Sequence, residues 1–217
     1  LFWAAMAYSF SPRGMAQVVR GSRHTPAEQW AAVAKAFGED RAKMRLGMPR
    51  MPLGDATSAY KGYLRRLSHM LDGQPYLLGN APCVADYAAY HPLWFTRTQT
   101  SCMAGILDAT PSVLAWMDRM AAIGHGSVTP MSAAEAIALC AATPAPAHLL
   151  HGHSFQDDHG IPLGSQVVIT AESFGPEGTE GELVAATRTH YSLRRSDERA
   201  GTVHVHFPRI GYVLKKA

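Results

Sequence analysis

Residues 76–95, YLLGNAPCVADYAAYHPLWF, and residues 110–120, TPSVLAWMDRM, decide the fold of this chain. The first stretch opens as a turn-rich connector with a short apolar centre. From Val84 it is apolar almost all round, through Ala85, Tyr87, Ala88, Ala89 and Tyr90. A helix without a polar face belongs in a core, so this segment is predicted to be the buried central helix. Asp86 stands at its third position, where a carboxylate can reach back to the cap N–H and favour the helix dipole. Cys83 sits at the cap itself, so the hydroxyl half of a capping box is weak there. Pro92 has no N–H and is expected to end or kink the helix. The second stretch starts with Pro111 at the first helical position. It carries Val113, Leu114, Trp116, Met117, Met120 and Ile123, and stops at Gly124.

Working outward, the flanks read as more helix. Leu1 stands where Met is expected, and the first ten residues, LFWAAMAYSF, are apolar or small. They carry no basic stretch or cleavage site of a secretory signal. They predict a helix entered partway along, a clipped signal peptide being the alternative. Thr25-Pro26-Ala27-Glu28 resembles a capping box, opening a helix with Trp30, Val33, Ala34 and Phe37 on one stripe. Gly38 is expected to divide that segment. A helix over 56–71 places Tyr60, Tyr63, Leu64, Leu67, Met70 and Leu71 on one face, with Lys61, Arg65 and Arg66 in solvent and Gly73 as its stop. Ser132 and Glu135 form a further capping box.

The pattern changes near residue 145. Pro144-Ala145-Pro146 is a linker signal, and no clean period follows until Gly164. Beyond it, 166–171, 181–185, 189–194, 202–207 and 212–214 read as strands. Residues 202–207 alternate strictly, with Val203, Val205 and Phe207 on one face and Thr202, His204 and His206 on the other. So few short strands are best closed as a small barrel, which removes exposed edges. The predicted domains are 1–143 (helical), 144–163 (linker) and 164–217 (β-barrel).

The chain's 217 residues are enough for two small units. Its hydrophobic content of 47% and charged content of 17% describe a globular chain, not a disordered one. A net charge of +3 is too small and scattered to imply nucleic acid. No apolar run is long enough to cross a membrane. Three cysteines, Cys83, Cys102 and Cys140, form no framework and point to a reducing compartment.

The first two stretches together resemble the all-helical C-terminal domain of glutathione S-transferases. Tyr76-Leu77-Leu78-Gly79 matches the family's connector, Cys83-Val84-Ala85-Asp86 the opening of its central helix, and Pro111 to Trp116 the helix that follows. Cys83 departs from the usual Ser or Thr. The resemblance is plausible over 1–143 and does not reach the β-rich tail, which reads as an appended module. It implies a glutathione S-transferase C-terminal-type helical bundle; with the strand pattern of the tail, read as a small SH3-like antiparallel β-barrel, the expected fold is an α+β multi-domain protein. It further implies glutathione as co-substrate, a small hydrophobic electrophile as partner substrate, a homodimer and a cytoplasmic location. In the family the thiol-activating residue lies in an N-terminal thioredoxin-like domain. Nothing in this chain matches one, so no catalytic residue is assigned. The other class of function open to this sequence is a non-catalytic binding or scaffold protein.

The resemblance also implies that the first helix walls the electrophile pocket, through Trp3, Met6, Tyr8 and Phe10. Tyr8 has a hydroxyl that could reach a bound thiol or electrophile. Cys83 and Asp86 are assigned a structural capping role. His148, His151, His153, Asp157, Asp158 and His159 are metal-type ligands, but their spacing is weak and no cysteine joins them. They read as a solvated linker, so no metal is expected. His204 and His206 lack a visible third ligand. The basic residues of the tail, Arg188, Arg194, Arg195, Arg199, Arg209, Lys215 and Lys216, are offset by Glu180, Glu182, Asp197 and Glu198, with no interleaved aromatics. They read as a solvated surface.

Overall fold

The computed structural model describes residues 1–21, 25–45, 51–143, 159–175 and 177–217. It divides into two compact units. The first comprises Leu1–Glu39 and Pro49–Val128, the second Asp40–Met48 and Thr129–Ala217.

The first unit is helical. Helix α1 (Phe2–Ser9) is followed by α2 (Pro12–Gly21) and, after a 3-10 turn at Ala27–Gln29, by α3 (Trp30–Met44), which from Asp40 onward belongs to the second unit. Helices α4 (Leu53–Met70), α5 (Val84–Trp94) and α6 (Pro111–Ala122) complete it. The core gathers Ala4, Ala5, Tyr60, Leu64, Leu67, Ala89, Leu93, Val113, Trp116 and Met117. The face predicted for the second long helix is therefore the buried one, although Met70 is exposed. Gly73 and Gly124 take the left-handed backbone expected of helix stops.

Three local expectations are corrected. Helix α3 runs unbroken through Gly38, and it opens on a 3-10 turn instead of a capped first α-turn. Helix α5 is not buried all round: Val84 is 82% exposed and Tyr87 is also exposed. Asp86, Ala89, Pro92 and Leu93 form its inward face. Pro92 is expected to end or kink the helix, and the α-helix stops two residues later, at Trp94. The chain continues as a π-helix, Phe95–Gln99, and then as a 3-10 stretch, Ser101–Leu107. The π-turn absorbs the irregularity that a proline introduces into the hydrogen-bond ladder.

The second unit holds helix α7 (Ala133–Ala142) and five strands. These are β1 (Gln166–Ala171), β2 (Thr179–Ala186), β3 (His190–Asp197), β4 (Gly201–Pro208) and β5 (Tyr212–Lys216). Each predicted strand is present: β1 has its predicted bounds, β3 begins one residue later and runs three further, and the others are longer by one or two residues at an end. All neighbours are antiparallel, in the order β4-β3-β2-β1-β5. The sheet is open, so the closed barrel is corrected. Because β5 pairs with the free side of β1, β4 and β5 end at opposite edges. Helix α7 comes near β4, and the β5 edge carries the exposed Lys215 and Lys216, charges that discourage further strand pairing. Val167, Ile169, Leu183, Tyr191, Leu193 and Leu214 fill the sheet's own core.

Most of the predicted linker, 144–158, lies outside the described residues.

Candidate functional site

The candidate wall residues fall into two groups. Trp3 and Met6, three residues apart on α1, share a face. Trp3 is 48% exposed and meets Phe2 edge-on at 5.5 Å, while Met6 is half-buried against the core. Phe10, just past the helix end, is flanked by Phe95 at 5.3 Å and Phe37 at 5.7 Å. The π-helix begins at Phe95, so its start packs against the end of α1. The result is an apolar strip along the first helix.

Tyr8 lies apart from that strip. Its ring meets Tyr60 edge-on at 5.7 Å, and its hydroxyl donates to the Met103 carbonyl at 3.1 Å. Burial raises its pKa; Arg13 opposes the rise and Cys102 adds to it. The hydroxyl therefore stays protonated and engaged as a donor.

Behind α1 sits a group of hydroxyls that pattern reading missed. Thr96 Oγ1 donates to the Pro92 carbonyl at 3.1 Å and accepts from Tyr60 at 3.0 Å. Its proton is thus spent, so Ser9 donates to it across 2.9 Å. Ser9, Tyr60 and Thr96 are all 0% exposed. Burial pushes the Tyr60 pKa up to about 12, against the hydrogen bond to Thr96 and with a small contribution from Tyr8. One signal was available: a tyrosine on a core-facing stripe needs a partner for its hydroxyl.

The cap of α5 is built around Asp86, which is fully buried. Its Oδ1 accepts the Leu77 N–H at 2.9 Å and the Trp116 indole N–H at 2.8 Å. Its Oδ2 accepts the Cys83 N–H at 3.0 Å, and the Cys83 thiol donates to it at 3.3 Å. Burial alone would raise the carboxyl pKa. The hydrogen bonds from Leu77, Cys83 and Trp116 outweigh that and hold it below the ordinary aspartate value. One side chain therefore ties together the connector, the start of α5 and α6.

In the second unit, His206 Nδ1 meets Ser192 Oγ at 2.7 Å, and its ring stands edge-on to His190 at 6.1 Å. Burial, then His190 and His204, lower the His206 pKa. His159 Nε2 bonds Tyr191 Oη at 3.1 Å. The other predicted metal-type ligands, His148, His151, His153, Asp157 and Asp158, lie outside the described residues. Among the described residues, no three His, Cys, Asp or Glu side chains are arranged to hold a metal ion. No described helix is long and apolar enough to cross a membrane.

Comparison with known proteins bears on this geometry. Residues 27–119 match the family described as "Glutathione S-transferase, C-terminal domain". Among solved structures, the chain is similar to a GST-like protein from Pseudomonas syringae, at 36% sequence identity and a TM-score of 0.64. The likeness covers 91% of this chain and 72% of that one. The last helix ends at Ala142, so coverage this wide extends into the β-rich part. The expectation that the resemblance stops before the tail is corrected accordingly. No curated protein matches the chain significantly.

Proposed function

The chain belongs to the glutathione S-transferase-like proteins, and from that premise we propose that it takes part in glutathione-dependent transfer to small hydrophobic electrophiles. Glutathione supplies the thiol, which becomes a competent nucleophile only when its pKa is lowered. The proposal assigns that activation to a thioredoxin-like domain of the family's type, not to any residue of this chain. The part given to this chain is binding. Trp3, Met6 and Phe10 form the apolar wall that desolvates and positions the electrophile. Tyr8 backs that wall, since its bond to Met103 fixes α1 against the 3-10 stretch. The observation that carries the reading is the apolar strip on α1, with Trp3 exposed at one end and Phe10 held by Phe95 and Phe37 at the other.

The proposed setting follows the family: a homodimer acting in the cytoplasm, with no metal. The test is glutathione-dependent consumption of a generic aromatic electrophile by the product of the full-length gene. Turnover that requires both substrates supports the enzyme. A homogeneous, folded protein with no thiol-dependent turnover overturns it in favour of a binding or scaffold role.

A further inference from the structure

The two edges of the sheet differ in chemistry. Strand β5 ends one of them in the exposed pair Lys215 and Lys216. Strand β4 forms the other over eight residues, GTVHVHFP, with no charged side chain and no proline before its last position. Its ladder with β3 pairs every residue from Gly201 to Pro208 without a register shift, so no bulge twists this edge away. Charges, prolines and bulges are what keep an edge strand from pairing, and β4 lacks them along its length.

The backbone of β4 can be followed group by group. Thr189 and Arg209 continue the β3–β4 register, and the Arg209 N–H donates to the Thr189 carbonyl at 3.0 Å. Hydrogen-bonded pairs alternate along an antiparallel ladder, so Gly201, Val203, Val205 and Phe207 turn their backbone groups to β3. Thr202, His204 and His206 turn theirs to the open side, where they meet no partner among the described residues. Helix α7 comes near β4 but buries none of its own residues, and no hydrogen bond passes between the two. No residue of β4 is buried, and Val203 and Val205 stand outside the sheet's core.

We infer that β4 is an interface through which two copies of this chain pair, each β4 antiparallel to the other, to make one continuous sheet. A two-fold axis perpendicular to the sheet at His204 sets the register. His204 then lies opposite the partner's His204, and Thr202 opposite the partner's His206, so every outward N–H meets a carbonyl. Val203 lies opposite the partner's Val205, in the closer, non-hydrogen-bonded kind of pair. Because the axis passes through a residue, like faces stay together and the apolar faces of both sheets lie on one side. A second copy is the occupant because the seam is self-complementary: its hydrogen bonds and faces match, and no charge on β4 repels its own copy. Pairing through β5 would instead bring Lys215 and Lys216 to the seam. Addition of strands at a sheet edge is a recurrent mode of association. The interface lies within the second unit, and the inference does not rest on the glutathione-dependent reading.

The test uses His204→Lys and His204→Glu in the full chain. His204 is half-buried and makes no hydrogen bond through its side chain among the described residues, so both substitutions are compatible with the fold. In each variant like charges meet at the two-fold, which opposes pairing. Sedimentation over a concentration series should show self-association of the wild type, weakened about tenfold or more in each variant alone. An equimolar mixture of the two variants should associate within about threefold of the wild type, which also shows that both are folded. Hydrogen exchange should slow at the Thr202, His204 and His206 amides as the wild type associates, and not in either variant alone. A monomeric wild type, or a mixture no better than its components, overturns the inference. A dimer that both variants leave intact overturns it too, while the glutathione-dependent reading stands.

Discussion

Asp86 and Trp116 are joined by a 2.8 Å hydrogen bond from the indole N–H to Oδ1, 30 residues apart in sequence and both fully buried. The bond explains why a carboxylate is tolerated in the core: it is one of several donors converging on the same group. Asp86→Ala leaves those donors without an acceptor, and a buried unsatisfied donor costs about 1–3 kcal/mol. Chemical denaturation should show a loss of about 3 kcal/mol or more. Trp116→Phe, which keeps the ring and drops one donor, should lose about 1–2 kcal/mol.

The same group makes a prediction about acid. The folded-state pKa of Asp86 is depressed below the ordinary value of 3.8. Its contribution is therefore present at neutral pH, begins to fall as pH drops through 3.8, and is lost below the depressed folded value. Asp86→Asn lacks this titration. Its stability gap from the wild type should narrow on acidification, measured by denaturation between neutral pH and the lowest pH at which both proteins fold.

Gly14 and Gly62 are expected to respond in opposite directions. A Cβ on Gly14 would lie 1.9 Å from the Ser9 carbonyl oxygen, at the close approach of the two first helices. Gly14→Ala should cost about 3 kcal/mol, at the upper end of overpacking, or prevent folding. Nothing lies within 4 Å of a Cβ on Gly62, which is exposed on α4. Gly62→Ala should raise stability by about 0.5–1 kcal/mol, read from the denaturation midpoint.

Tyr8→Phe separates a backing role from a catalytic one. The hydroxyl is occupied by Met103, so its removal should cost about 1 kcal/mol of stability. The rate of electrophile conjugation should change less than about twofold. A loss of about a hundredfold in kcat would assign the hydroxyl to the reaction instead.

Trp3→Ala and Met6→Ala address the apolar strip. Each should raise KM for the electrophile several-fold while leaving KM for glutathione unchanged, the pattern of lost binding on one substrate only. Trp3 is exposed, so its replacement should barely move stability.

Much of the fold was legible because its signals are local. The stripe Tyr60, Leu64, Leu67 announces a face that the structure buries, whereas of Val203, Val205 and Phe207 only Phe207 packs against the sheet's core. Asp86 at the third position of its helix announced a cap, but not Trp116 as its partner, because that contact spans two helices. Pro92 marked the break in the α-helix, which stops two residues on at Trp94, but not the π-turn that follows, which no pattern marks. Val84 and Tyr87 misled: they are apolar but exposed. The open sheet was missed because closure depends on whether β4 and β5 meet. Strand count and turn residues do not settle that. The strip on α1 was legible as bulky residues, whereas the engagement of Tyr8 by a backbone carbonyl at Met103 was not.

The most direct measurement of the central claim is retention of the full-length gene's product on immobilised glutathione, followed by elution with free glutathione. The account predicts retention, specific elution and thiol-dependent conjugation activity in the eluted protein. A folded protein that passes straight through, and conjugates no electrophile when glutathione is supplied, contradicts it.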